Sequence, residues 1–227
     1  MVRSIVGLIA AFVMASGVQA ASLTDLSNAD TSKGLKEALS QSAGAAVAKL
    51  GKENGFLGDP RVKIPLPESL KKVEGMMRAI GMGKQAEELV TRMNRAAEAA
   101  VPEAKTILLD AVKKMSVTDA KNIVTGGDHA ATEYFRSNTA GALHDKFLPV
   151  VTRATQKVKL AETYNQYAGR AEKFGLVKSD DARIEEYVTR KTLDGLYLIM
   201  AEEEKAIRQD PLGRSGYWLK KVFGASQ

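Results

Sequence analysis

The 227-residue chain has no cysteine and only two histidines, His129 and His144. The first absence removes disulfides, thiolate nucleophiles and thiolate metal sites together, so stability must come from packing. The second leaves no Glu-x-x-His or His-Glu-x-x-His spacing, the signatures of di-iron bundles and zinc proteases. In Asp128-His129 and His144-Asp145 the partners are adjacent, and adjacent side chains on a helix diverge. No metal and no other cofactor is expected. Aromatic residues are few, 6% of the chain, and unevenly placed: between Ala21 and Gly127 there is only Phe56, and eleven lie from Tyr134 to Phe223.

Long apolar runs are also lacking, apart from one at the start. Arg3 precedes an apolar stretch from Ile5 to Val13, and Val18-Gln19-Ala20 follows as a small-residue cleavage site. Residues 1–20 therefore read as a cleaved secretory signal peptide. The stretch falls short of the roughly 20 residues that span a bilayer, so no transmembrane segment is expected in the mature form. Position 21 is alanine, which speaks against a lipoprotein, and the expected location is the periplasm. The net charge of +6 falls to +5 once Arg3 is removed. Such a modest excess solubilises a surface or draws anionic envelope polymers weakly, and export argues against a nucleic-acid partner.

What remains is helix after helix. Ser27 to Asp30 resembles a capping box, and Leu35, Ala38, Leu39, Ser42, Ala46 and Leu50 recur at helical spacing until Gly51 offers a left-handed cap. Near residues 56–66 the pattern becomes an extended Pro-rich arm: Val62, Ile64 and Leu66 alternate with Arg61 and Lys63, but Pro65 cannot donate in a ladder. Helices are expected from Pro67 to Gly81 and from about Lys84 to Val101. Pro102 should break the helix, with near-continuous axes, before another to about Met115. Thr118 is read as the cap of a short helix ending at Gly126-Gly127, and Asp128 as the cap of the next. Ser137-Asn138-Thr139 reads as a fresh cap, and Pro149 as a bend. Further helices are read from Ala161 to Phe174, closed by Gly175, from Asp181 or Ile184 to Arg208, and briefly around Tyr217 to Phe223. The expected fold is all-α, a single-domain bundle of about eight to ten helices over residues 21–227. An Ala- and Met-rich sub-bundle runs to about residue 127 and an aromatic-rich one follows.

Several strings together point to a family: Phe56-Leu57 with Val62 to Pro67, Met93 to Ala100, Gly126-Gly127-Asp128, Ala130 to Arg136 and Lys146 to Pro149. Leu193-Asp194-Gly195-Leu196, Ala201 to Glu204 and Ile207 to Pro211 complete the set. The chain resembles, over nearly all its mature length, the bacterial family called domain of unknown function 4197. The resemblance implies an exported all-helical protein of Gram-negative-type bacteria; it brings no reaction and no substrate.

Two polar groups are candidate ligand contacts. Asn94, Arg95 and Glu98 stand among alanines that leave room for a ligand, or for a helix contact or internal hydrogen-bond network. Asp128, Thr132 and Arg136 follow Gly126-Gly127 on a helix start that exposes N–H groups to an anion, unless Asp128 takes that place itself. Asp194, Glu202 and Glu203 form a third, carboxylate group. Gly81-Met82-Gly83-Lys84-Gln85-Ala86 joins two helices and is no dinucleotide fingerprint. Ser69-Leu70-Lys71-Lys72 lacks the companion motifs of penicillin-interacting enzymes. With no complete catalytic motif, the function is unknown; the favoured reading is a non-enzymatic periplasmic binding or interaction protein, partnered by a small anionic ligand or an envelope component. The alternatives are a carboxylate-using envelope enzyme, with Asp128, Glu98, Asp194 or Glu203 as acid or base, and peripheral association with membrane or cell wall through the basic surface and the Trp218 tail.

Overall fold

Start and stop chemistry along the chain sets eight α-helices, seen in a computed structural model that describes residues 28–79, 81, 83–174 and 181–209. The expected signal peptide, the Gly175 cap and the aromatic helix around Tyr217 lie outside the described residues. The helices are α1 (Asn28–Leu50), α2 (Glu68–Ala79), α3 (Gly83–Ala100), α4 (Ala104–Lys114), α5 (Val117–Thr125), α6 (Ala130–Thr155), α7 (Lys159–Lys173) and α8 (Ile184–Gln209). No strand occurs among the described residues, so the all-α expectation holds. Pro102 lies in a 3₁₀ turn, Val101–Glu103, that breaks α3 from α4 where the missing N–H demanded a break.

Four local expectations are corrected. The cap of α5 is Ser116, not Thr118: its hydroxyl accepts from the Asp119 N–H at 3.1 Å and the Asp119 carboxylate accepts from the Ser116 N–H at 2.9 Å. Ser137-Asn138-Thr139 starts no helix, because α6 runs through it; Asn138 and Thr139 donate to the carbonyls of Tyr134 and Phe135, four residues back. Asp128 does not cap α6, whose N-cap position is His129, with no side-chain hydrogen bond from it. Gly51 is not left-handed either: the positive-φ residues are Asn54 at 64° and Gly81 at 81°. Asn54 tolerates that conformation because a short polar side chain does.

α6 and α8 share the most extensive contact, α3 packs on both, and α1 lies against α4, α5 and α8. The alanine-rich first half and the aromatic-rich second half therefore share one core. Ala96, Ala97 and Ala100 of α3 are fully buried, which brings its backbone close to its neighbours, while Phe135, Phe147 and Tyr197 fill the space between α6 and α8. The arm, residues 51–67, consists of turns and coil, and its period-two pattern is real: Val62, Ile64 and Leu66 are buried and Arg61, Lys63 and Pro65 exposed. Phe56 enters the core against Gly195, where an added Cβ would lie 2.7 Å from the ring.

Candidate functional site

Five of the six candidate residues divide between two structural fastenings and one groove, and Asp128 stands exposed outside them. Asn94 is fully buried, and its amide accepts from the Ile64 N–H at 2.8 Å and donates to the Ile64 and Val90 carbonyls at 2.9 and 2.8 Å. One Glu98 oxygen accepts the Phe56 and Leu57 N–H groups at 3.0 Å each, and the other accepts from Arg95 at 2.6 Å. Arg95 also donates to Glu53 and Asn54. An irregular segment has no ladder to satisfy its backbone, and these side chains supply one. Arg61 continues the fastening, held by Asp59 and donating to Glu202 at 2.6 Å, and Tyr187 donates to the Pro65 carbonyl at 3.0 Å.

The second fastening lies where α5 turns into α6. Glu204 of α8 is buried, and its oxygens accept the Ala131 and Thr132 N–H groups and the Thr132 hydroxyl, each at 2.9 Å. The anion favoured at this helix start is thus the protein's own. Arg208, one turn further along α8, donates to Glu204 at 2.9 Å and to the Ile123 carbonyl at the end of α5 at 2.8 Å. A carboxylate meets one helix N-terminus and a guanidinium the preceding C-terminus, both with the favourable sign. Asp128 is exposed beside this junction. Thr132 and Glu204 also border a cavity of about 20 Å³, about the size of one water molecule.

Arg136 lies elsewhere, on an open groove of about 630 Å³ between α6 and α8. Arg136, Ala140 and His144 recur every four residues along α6, and Glu186, Arg190, Leu193, Asp194 and Tyr197 form the facing stripe of α8. Small Ala140 opens the space between the helices. The Arg136 guanidinium sits over the Tyr197 ring, 4.6 Å from its centroid, and the buried phenol of Tyr197 meets the Thr139 hydroxyl at 2.8 Å. Burial pushes that phenol above its ordinary pKa, so the platform under Arg136 is neutral. Asp194 lies 3.8 Å from both Arg136 and Lys191, too far for a hydrogen bond to either.

At the other end His144 Nε2 meets Glu186 at 2.9 Å, and Asp145 lies 3.6 Å from Nδ1, so that adjacent pair does not diverge as expected. Arg190 is held by Asp181, while its Nε is buried without a hydrogen-bond partner. Glu186 and Arg190 are not among the candidates read from sequence, and His144 enters there only as a histidine without metal-ligand spacing. The available signal was the i, i+4, i+8 recurrence of Glu186, Arg190 and Asp194. The third, carboxylate group is dispersed: Asp194 faces the groove, Glu202 holds Arg61 and Glu203 lies 3.7 Å from Lys49. Among the described residues no group of three or more His, Asp or Glu could hold a metal ion, and no helix is long and apolar enough to cross a membrane.

No curated protein and no solved structure matches the chain. The family model described as "protein of unknown function (DUF4197)" matches residues 25–224, almost the whole sequence, and the family strings map onto the arm, α3, the α5–α6 junction, α6 and α8, with Asp210 and Pro211 outside the described residues. The chain belongs to that family.

Proposed function

We propose that this is an exported, non-enzymatic binding protein of the periplasm whose ligand lies in the groove between α6 and α8. The observation that carries the reading is the contrast between sites. The Asn94, Glu98 and Glu204 clusters use their polar atoms to hold the protein's own backbone, whereas the groove is open and its Arg136 and Asp194 meet only as a loose ion pair at 3.8 Å, without a hydrogen bond between them. Its volume is that of a small-molecule site. The apolar run and small-residue site of residues 1–20 support export.

Thermal-shift screening of the exported protein against small anions and envelope components tests the reading. A ligand at about 100 times its Kd stabilises the fold by about 2.7 kcal/mol, an upward displacement of Tm that R136Q should reduce when the ligand is an anion. No displacement by any component, or one that R136Q retains in full, contradicts the groove as the site. Osmotic-shock fractionation tests location: the protein should appear in the released fraction, and retention inside the cell would contradict export.

A further inference from the structure

Resting on that reading, we infer that the groove takes a small organic carboxylate monoanion, seated on the guanidinium fork of Arg136. Arg136 makes no hydrogen bond closer than its 3.8 Å approach to Asp194, and its side chain is half exposed, so its donors face the groove without a geometrically committed acceptor. The Tyr197 ring beneath it fixes the plane of the fork. A planar fork donates to both carboxylate oxygens at once, which a lysine ammonium does not do.

The sign and size of the charge follow from the neighbours. Asp194 is shared at 3.8 Å between two cations, Arg136 in the groove and Lys191, which does not line it, so one carboxylate stands against two positive charges here. The surplus is a single positive charge, which a monoanion neutralises and a phosphate dianion would overshoot. Ala140, Leu193 and the Tyr197 ring give an apolar floor beside the fork, suited to the hydrocarbon part of such an acid. At the far end Glu186 already shares a hydrogen bond with His144 and Arg190 is held by Asp181, so the fork is the anchoring end.

Asp194 then acts as a competitor for Arg136, and removing its charge should strengthen binding. This consequence separates a ligand-binding Arg136 from a merely structural one. Calorimetric titration of the exported protein with benzoate, benzylamine and inorganic phosphate is the test, repeated on R136Q, R136K and D194N, with circular dichroism to verify folding. Benzoate should bind the wild type, about tenfold or more weaker to R136K, and undetectably to R136Q, the loss of a charged bidentate contact. D194N should bind benzoate several-fold more tightly. Equal benzoate affinity in wild type and R136Q, or weaker binding in D194N, overturns the inference.

Phosphate preferred over benzoate, with the same dependence on Arg136, replaces the carboxylate class by a phosphate class and overturns the inference as stated. Benzylamine bound in place of benzoate, and lost in E186Q, overturns the carboxylate while leaving the groove as a binding site. Failure of all three probes at millimolar concentration, together with no thermal shift from any envelope component, overturns the ligand class and the binding reading together.

Discussion

The Asn94 side-chain amide pairs with the backbone of Ile64 as a neighbouring strand would, accepting its N–H at 2.8 Å and donating to its carbonyl at 2.9 Å. One residue of α3 thereby satisfies both polar groups of an arm position whose side chain is 1% exposed. Asn94→Ala leaves that N–H and carbonyl buried without partners, at about 1–3 kcal/mol each, and Asn94→Leu adds a clash of shape. Urea denaturation should register a loss of about 2–4 kcal/mol for Asn94→Ala with an unchanged slope; a loss below about 0.5 kcal/mol would show that water replaces the amide.

Glu204 and Arg208 act as a unit across the α5–α6 junction. Glu204→Ala takes the carboxylate from a guanidinium that is 13% exposed and leaves two helix N–H groups without their acceptor, and should destabilise by about 3–5 kcal/mol. The double variant Glu204→Ala, Arg208→Met should lose clearly less than the two single losses added, since each partner's removal exposes the other. Additive losses in chemical denaturation would contradict the coupling.

Gly195 gives Phe56 its place in the core. A Cβ there would lie 2.7 Å from one ring carbon of Phe56 and 3.3 Å from Val62 Cβ, so Gly195→Ala should destabilise by about 1–3 kcal/mol through overpacking. Phe56→Leu, which shortens the offending side chain, should return part of that loss when combined with it. Thermal melts of the two single variants and the pair decide this, and a stabilising Gly195→Ala would refute the packing.

Tyr187 links the arm to pH. Burial, opposed by the nearby Arg190 charge, pushes its phenol from 10.0 up to about 12, and its neutral hydroxyl donates to the Pro65 carbonyl. The folded-state pKa lies above the unfolded one, so this contribution is complete below pH 10 and disappears as pH rises toward 12. Denaturation from pH 8 to 12 should show the wild type's advantage over Y187F, about 1 kcal/mol at neutral pH, vanishing across that window. An advantage unchanged to pH 12 would place the phenol outside the arm contact.

Helices were legible because their signals are local. Gly81 with its positive φ, Pro102 at a break and the hydrophobic spacing of α1 and α8 are read within a few residues. The arm's alternation was equally plain, while its partner was not: Asn94 is 30 positions from Ile64, and Glu98 is 42 from Phe56. A buried amide among alanines has the same sequence signature whether it awaits a ligand or holds backbone. Thr139 and Asn138 were read as caps because hydroxyl and amide side chains serve both at helix starts and as donors to the preceding turn. The groove was half legible. Arg136 was picked out from its own helix, whereas Glu186 and Arg190 gain meaning only once α8 is laid against α6.

Residue-resolved NMR of the ¹⁵N-labelled protein, titrated with benzoate, tests the groove most directly. Amide shifts should concentrate on Arg136, Ala140, Arg190, Leu193 and Asp194 and saturate together with a single Kd. Shifts confined to the arm around Phe56 or to the α5–α6 junction, or none at all, would contradict a ligand site between α6 and α8.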